Sequence, residues 1–149
     1  MSLHALALAV AMSVNQPDSP ADVFLGSWMC SGEPWTFSRA KNDAFIEVRY
    51  GKPDALDGTA RFGYITGLKS WVYRDFHTDG SYADLTAHFI APDRWEFTGP
   101  YYPAGADAPL DGVIGYRIVS RTQYDRTFAS RQPDGTVKPS GGDTCRKQP

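Results

Sequence analysis

The chain has 149 residues, of which 42% are hydrophobic, 13% aromatic and 21% charged, a composition that excludes disordered, collagen-like and coiled-coil classes. Its 15 basic and 17 acidic residues leave a net charge of -2, without the polybasic footprint of a nucleic-acid or anionic-membrane binder. One domain of this length buries roughly 70% of the surface its unfolded chain exposes, which supports a core without a metal or dense disulfides.

Residues 3–12, from Leu3 to Met12, form an apolar run with the length of a signal-peptide core and too short to span a bilayer as a helix. Ala11-Met12-Ser13 fits a small-x-small cleavage pattern. No Lys or Arg precedes the run, so an amphipathic first helix is the alternative. The expected organisation is a signal peptide over 1–13, a flexible mature N-terminus over 14–22, and a single β-barrel domain over 23–149. The protein would then be periplasmic or secreted, with no integral membrane segment in its mature chain, and His4 would leave with the leader. Cys30 and Cys145 are the two cysteines, and an even pair in an oxidising compartment reads first as a disulfide. Closing most of the chain into one loop would contribute on the order of 4 to 5 kcal/mol in the chain-entropy picture. Two separate buried thiols are the other reading. No C-x-x-C and no Cys/His cluster suggests a metal site.

From residue 23 onward, short β-branched and aromatic runs are broken by Gly, Pro, Asn and Asp every 8 to 12 residues, and no long 3.6-residue period appears. Strands are expected near 24–31, 34–39, 43–50, 59–67, 70–77, 81–90, 94–99, 112–120, 123–131 and 143–147. Turns fall at Lys41-Asn42-Asp43, Gly67-Leu68-Lys69, Asp79-Gly80, Pro92-Asp93 and Asp134-Gly135. Consecutive hairpins predict an all-β, antiparallel up-and-down barrel of about 8–10 strands, because closure removes the exposed edges of an open sheet.

Taking Asp79-Gly80 as a two-residue turn opposes His77 with Tyr82, Asp75 with Asp84, Tyr73 with Thr86 and Trp71 with His88. A turn centred on Leu68-Lys69 opposes Thr66 with Trp71, Tyr64 with Tyr73 and Phe62 with Asp75. One on Pro92-Asp93 opposes Trp95 with Ile90 and Phe97 with His88. One face then carries Phe62, Tyr64, Thr66, Trp71, Tyr73, Asp75, His77, Tyr82, Asp84, Thr86, His88, Ile90, Trp95 and Phe97. The other carries Arg61, Arg74, Arg94 and Glu96 together with Val72, Phe76, Leu85 and Phe89. Since a buried unpaired Arg is costly, the aromatic face is expected inside, although a one-residue slip at any turn would invert the assignment.

The opening strand, Phe24-Leu25-Gly26-Ser27-Trp28-Met29-Cys30, carries a Gly-x-Trp, and the middle of the chain is rich in Tyr and Trp before Trp95-Glu96-Phe97-Thr98-Gly99 and a terminal Cys145-Arg146-Lys147. Over residues 23–147 this layout resembles lipocalin-like, calycin-superfamily exported bacterial proteins. The resemblance implies a barrel with one open end and a small-molecule site, with Gly26 and Trp28 as structural residues of the closed end. It also implies a basic residue stacked on Trp28, for which Arg126 and Arg146 are the candidates.

Candidate chemistry gathers on the aromatic face. Asp75 facing Asp84 would form an acid/base dyad or two solvated carboxylates at a strand end. His88 between Trp71 and Phe97 would be a general base, a core histidine, or the axial ligand of a haem, the one cofactor considered; His77 lies nearer the rim. Phe62, Tyr64, Trp71, Tyr73, Tyr82, His88, Trp95 and Phe97 would line a cavity for an apolar or aromatic molecule, unless the barrel is filled by its own side chains. Segment 100–112, with Tyr101-Tyr102, is too irregular for a tight hairpin and is a candidate lid. No nucleophile elbow, phosphate loop or dinucleotide fingerprint is present. The function expected is binding of a small-molecule ligand by a monomer or homodimer. A calycin-fold isomerase, cyclase or dehydratase using Asp75, Asp84 and His88 without a cofactor is the first alternative, and a filled barrel acting as an envelope interaction protein the second.

Overall fold

A computed structural model describes residues 19–40 and 45–149. The apolar run 3–12, its cleavage site and the Lys41-Asn42-Asp43 turn lie outside the described residues. The strands are β1 (Gly26–Cys30), β2 (Glu33–Arg39), β3 (Phe45–Lys52), β4 (Ala55–Ile65), β5 (Ser70–His77), β6 (Tyr82–Ala91), β7 (Arg94–Tyr102), β8 (Leu110–Ser120), β9 (Gln123–Arg131) and β10 (Val137–Lys147). Each pairs antiparallel with its neighbour in sequence, and β1 pairs with β10, so the chain forms a closed up-and-down barrel of ten strands. Among the described residues no helix is long and apolar enough to cross a membrane.

β4, β7, β8 and β10 run further than the sequence suggests, β4 starting at Ala55 rather than 59. β7 continues to Tyr102 and β8 starts at Leu110 because Tyr101 pairs with both Ala83 and Leu110 and Tyr102 with Tyr82. The expected lid at 100–112 thus shrinks to residues 103–109, and Ala104 N–H donates to Ser81 Oγ at 3.1 Å, tying this loop to the β5–β6 turn. β10 starts at Val137 rather than 143, laddering with Arg131 and absorbing one bulge between Pro139 and Gly141.

Register decides which side chains reach the interior, and one turn inverts the expected pattern. The β5–β6 connection has three residues, not two: His77 N–H donates to Ser81 O, Gly80 N–H donates to His77 O, and Asp79 Oδ1 accepts from Ser81 N. Gly80 supplies the left-handed position at φ 92°. The extra residue pairs Asp75 with Ala83 and Arg74 with Asp84. Asp75 therefore does not face Asp84: Asp75 points inward, whereas Asp84 sits outside, 3.2 Å from Arg74 Nε. Tyr82 and Thr86 also turn outward, and Leu85 turns inward.

The other two turns preserve faces. Phe62 pairs with Tyr73 and Tyr64 with Trp71, a slip of two that keeps Phe62 and Tyr73 inside. Trp95 pairs with Ile90 as expected, but a bulge between Ala87 and Phe89 then places Phe97 opposite Ala87. His88 is the bulged residue and is exposed, not packed between Trp71 and Phe97.

The interior divides at mid-height. At one end the 3-10 turn Pro20–Phe24, capped by the Ser19 hydroxyl, drives Phe24 into the barrel, where Phe62, Trp95, Tyr116 and Tyr124 meet its ring edge-on at 5.4–5.7 Å. Edge-to-face packing adds about 0.5–1.5 kcal/mol per pair beyond burial. Trp28 donates its indole N–H to Phe24 O at 2.7 Å, and Lys147 Nζ lies 5.3 Å from its ring centre. The basic partner of Trp28 is thus Lys147, which the β1–β10 register sets beside it. Arg126 lies over Trp35 instead, and Arg146 hydrogen-bonds Gln123. Only about 10 Å³ remains empty in this half.

Candidate binding site

The other half of the barrel is hollow. A cavity of about 540 Å³ opens at the end carrying the β1–β2, β3–β4, β5–β6, β7–β8 and β9–β10 connections, a volume within the usual range for small-molecule sites. Inward positions of β6, β8 and β9 give it an apolar wall of Ala83, Leu85, Ile114 and Phe128.

β2, β3 and β5 supply a polar wall opposite. Trp35 and Tyr50 are paired across β2 and β3 and stack at 4.2 Å and 12°, while the Arg126 guanidinium covers the other face of Trp35 at 3.9 Å. Arg126 is an inward arginine that the sequence argument against buried arginines does not anticipate. It is tolerated because Asp143, its cross-strand partner on β10, takes two hydrogen bonds from it at 2.9 and 2.5 Å. Burial works against its charge, but the bonds to Asp143 hold its pKa above the ordinary arginine value. Glu33 accepts the Trp35 indole N–H at 2.5 Å; burial raises its pKa, and neighbouring Asp57 adds to the rise.

Asp75 is the centre of this wall and is 5% exposed. Tyr50 donates its hydroxyl to Asp75 Oδ1 at 2.7 Å, Tyr73 donates to Oδ2 at 3.2 Å, and His77 Nε2 lies 3.3 Å from Oδ2. Burial, then the Asp75 charge, pushes both phenols well above the ordinary tyrosine value, so they remain donors at neutral pH. The hydrogen bond to Asp75 raises the His77 pKa against the opposing effect of burial. Deeper in the barrel, burial pushes Tyr116 up to about 12. Among the described residues no group of three or more His, Cys, Asp or Glu side chains is arranged to hold a metal.

Of the residues expected to line a cavity, Tyr73 does so. Phe62, Trp95 and Phe97 are buried in the filled half, and Trp71 packs against Trp95 at 5.0 Å, half-buried at that end. Tyr64 is exposed beside Trp71, Tyr82 lies on the outer surface between Phe76 and Tyr102, and His88 is exposed at its bulge. Of Asp75, Asp84 and His88, the structure brings only Asp75 to the cavity, and its neighbour there is His77. Trp35, Tyr50 and Glu33 lie on strands whose register the sequence reading did not trace, and Asp57 lies on β4 ahead of the stretch expected at 59–67. The signal for them is the alternation Trp35-x-Phe37 and Ile46-x-Val48-x-Tyr50, which places Trp35 and Tyr50 on one inward face. Cys30 and Cys145 are cross-strand partners and form the disulfide.

The sequence matches no protein-family model and no curated protein.

Proposed function

We propose that this chain is a lipocalin-like binding protein that holds a small, mainly apolar or aromatic molecule in the hollow half of its barrel. The observation that carries this reading is the 540 Å³ cavity with an apolar wall facing a polar one, the arrangement that buries a ligand's body while fixing one end. The ligand's ring or chain lies against Leu85, Ile114 and Phe128. Its polar end meets Asp75, His77 and Glu33. The Cys30–Cys145 disulfide and the apolar run 3–12 support export to the periplasm or outside the cell.

Titration with N-phenyl-1-naphthylamine, a neutral apolar fluorophore, tests the reading. Saturable enhancement at one dye per chain is expected, abolished in Ile114→Trp, which fills the cavity, and retained in Tyr82→Ala, which alters only the outer surface. An Ile114→Trp protein that keeps its circular dichroism spectrum and still binds the dye equally well would refute the cavity as the binding site.

A further inference from the structure

The polar wall holds more than a passive apolar pocket needs. Burying a carboxylate is costly unless donors surround it, and two phenols and an imidazole are committed to Asp75 alone. One of those three partners is also a cavity-lining acid/base group, His77, whose side chain is 33% exposed and which meets Tyr50 edge-on at 5.4 Å. The contact with Asp75 assigns the proton of the neutral ring to Nε2 and leaves the Nδ1 lone pair as the basic site. The hydroxyls next to it, on Tyr50 and Tyr73, already donate to Asp75. The wall thus presents an oriented base without an adjoining nucleophile, which suits proton abstraction rather than acyl transfer.

We propose that His77, oriented by Asp75, acts as a general base that removes a proton from an activated C–H of a flat, apolar molecule bound in the cavity. Nδ1 takes the proton, the C–H electron pair enters the bond to the adjacent carbonyl or ring atom, and negative charge develops on the substrate. The imidazolium formed lies against the Asp75 carboxylate, and Arg126 contributes a fixed positive charge to the same cavity. Return of the proton to another carbon yields an isomer, so the step needs no oxidant, reductant or cofactor. The substrate class is a weak carbon acid with an aromatic or conjugated body that fits between Leu85, Ile114 and Phe128. The charged and titratable groups acting on His77 are Asp75 by contact, Asp79 in the adjoining turn and Glu33 on β2, with Tyr50 against its ring. The three acids favour the protonated ring, so activity should rise with pH as His77 loses its proton.

This inference rests on the cavity being a binding site, and the test separates the two. The probe is 5-nitrobenzisoxazole, whose ring C–H is removed by a base as its N–O bond breaks to give a coloured nitrocyanophenolate. Wild-type protein should turn it over about 100-fold faster than imidazole at equal concentration, along a limb that rises with pH. His77→Gln should lose about tenfold or more. Asp75→Asn should move the limb to lower pH, because an imidazole without its carboxylate holds its proton less tightly, a shift that mere loosening of the fold would not produce. Displacement of N-phenyl-1-naphthylamine reports probe binding independently. Displacement without turnover, or turnover that survives His77→Gln, overturns the base and leaves the binding protein. Turnover absent in a protein that binds the dye but does not release it to the probe overturns the base alone, and absence of both dye binding and turnover overturns both. Should Asp75→Asn fail to fold, the wild-type pH profile and His77→Gln still decide.

Discussion

A Cβ built on Gly58 would lie 2.1 Å from the Tyr50 hydroxyl and 2.7 Å from Phe76 O. Glycine stands in this strand for space, since Tyr50 must pass over it to reach Asp75. Gly58→Ala should push the phenol off the carboxylate and destabilise the protein by about 1–3 kcal/mol, the usual cost of overpacking. Tyr50→Phe removes the same hydrogen bond while keeping the ring against Trp35. Because both changes break one contact, their effects should fall short of additive in the double variant. Urea denaturation of the four proteins checks this; simple addition of the two losses would mean that Gly58 and Tyr50 do not share a function in the wall.

At the level of strands, turn length and one bulge decide what the sequence reveals. The strand positions, the up-and-down order and the inward faces of β4, β5 and β7 were legible because alternation of apolar and polar residues repeats with period two. The face of β6 was not, because Asp79-Gly80 fits both a two-residue turn and a three-residue turn with a glycine bulge, and the two differ by one residue of register. The side-chain cap from Asp79 to Ser81 N recurs as Asp134 to Thr136 N in the β9–β10 turn, and Gly135 at φ 82° repeats the role of Gly80. Asp-Gly followed by Ser or Thr is therefore the local sign of the longer turn in this chain. The bulge at His88 carries no such sign, so an imidazole expected inside lies outside, while His77, expected on the inward face nearer the rim, lies beside the Asp75 carboxylate. The bulge can be tested by deletion. Removing His88 leaves Ala87 inward, Phe89 outward and Ile90 inward on a regular ladder. Removing Thr86 instead shifts Ala87 outward and carries the His88 imidazole inward against Phe97, at a cost of about 1–3 kcal/mol for a polar group without a partner. The His88 deletion should melt at the higher temperature of the two, and equal melting would show that the barrel does not discriminate between these registers.

For the molecule as a whole, the weak place is the seam where a meander becomes a barrel. β1 has five residues and meets β10 through three register pairs, Trp28 with Lys147, Met29 with Arg146 and Cys30 with Cys145, whereas β9 and β10 share nine. Two devices reinforce this short contact: Lys147 over Trp28 at the filled end, and the disulfide one strand position before the turn that leads to Glu33 and Trp35 at the hollow end. The filled half can hold its end of the seam through aromatic packing around Phe24. At the hollow end the seam relies on the covalent link, which spans 115 residues, is buried against Tyr124 and should contribute about 4 kcal/mol by restricting the unfolded chain. Replacing both cysteines by alanine should lower the melting temperature by roughly 8–16 °C, at 2–4 °C per kcal/mol for a chain of this size. Dithiothreitol should have the same effect on the wild type. Because β2 carries Trp35 and Glu33 beside the seam, reduction should also weaken dye binding at temperatures well below melting, where the filled half is intact. A reduced protein that melts within 3 °C of the oxidised one and binds dye equally would show that the strand ladder alone closes the barrel.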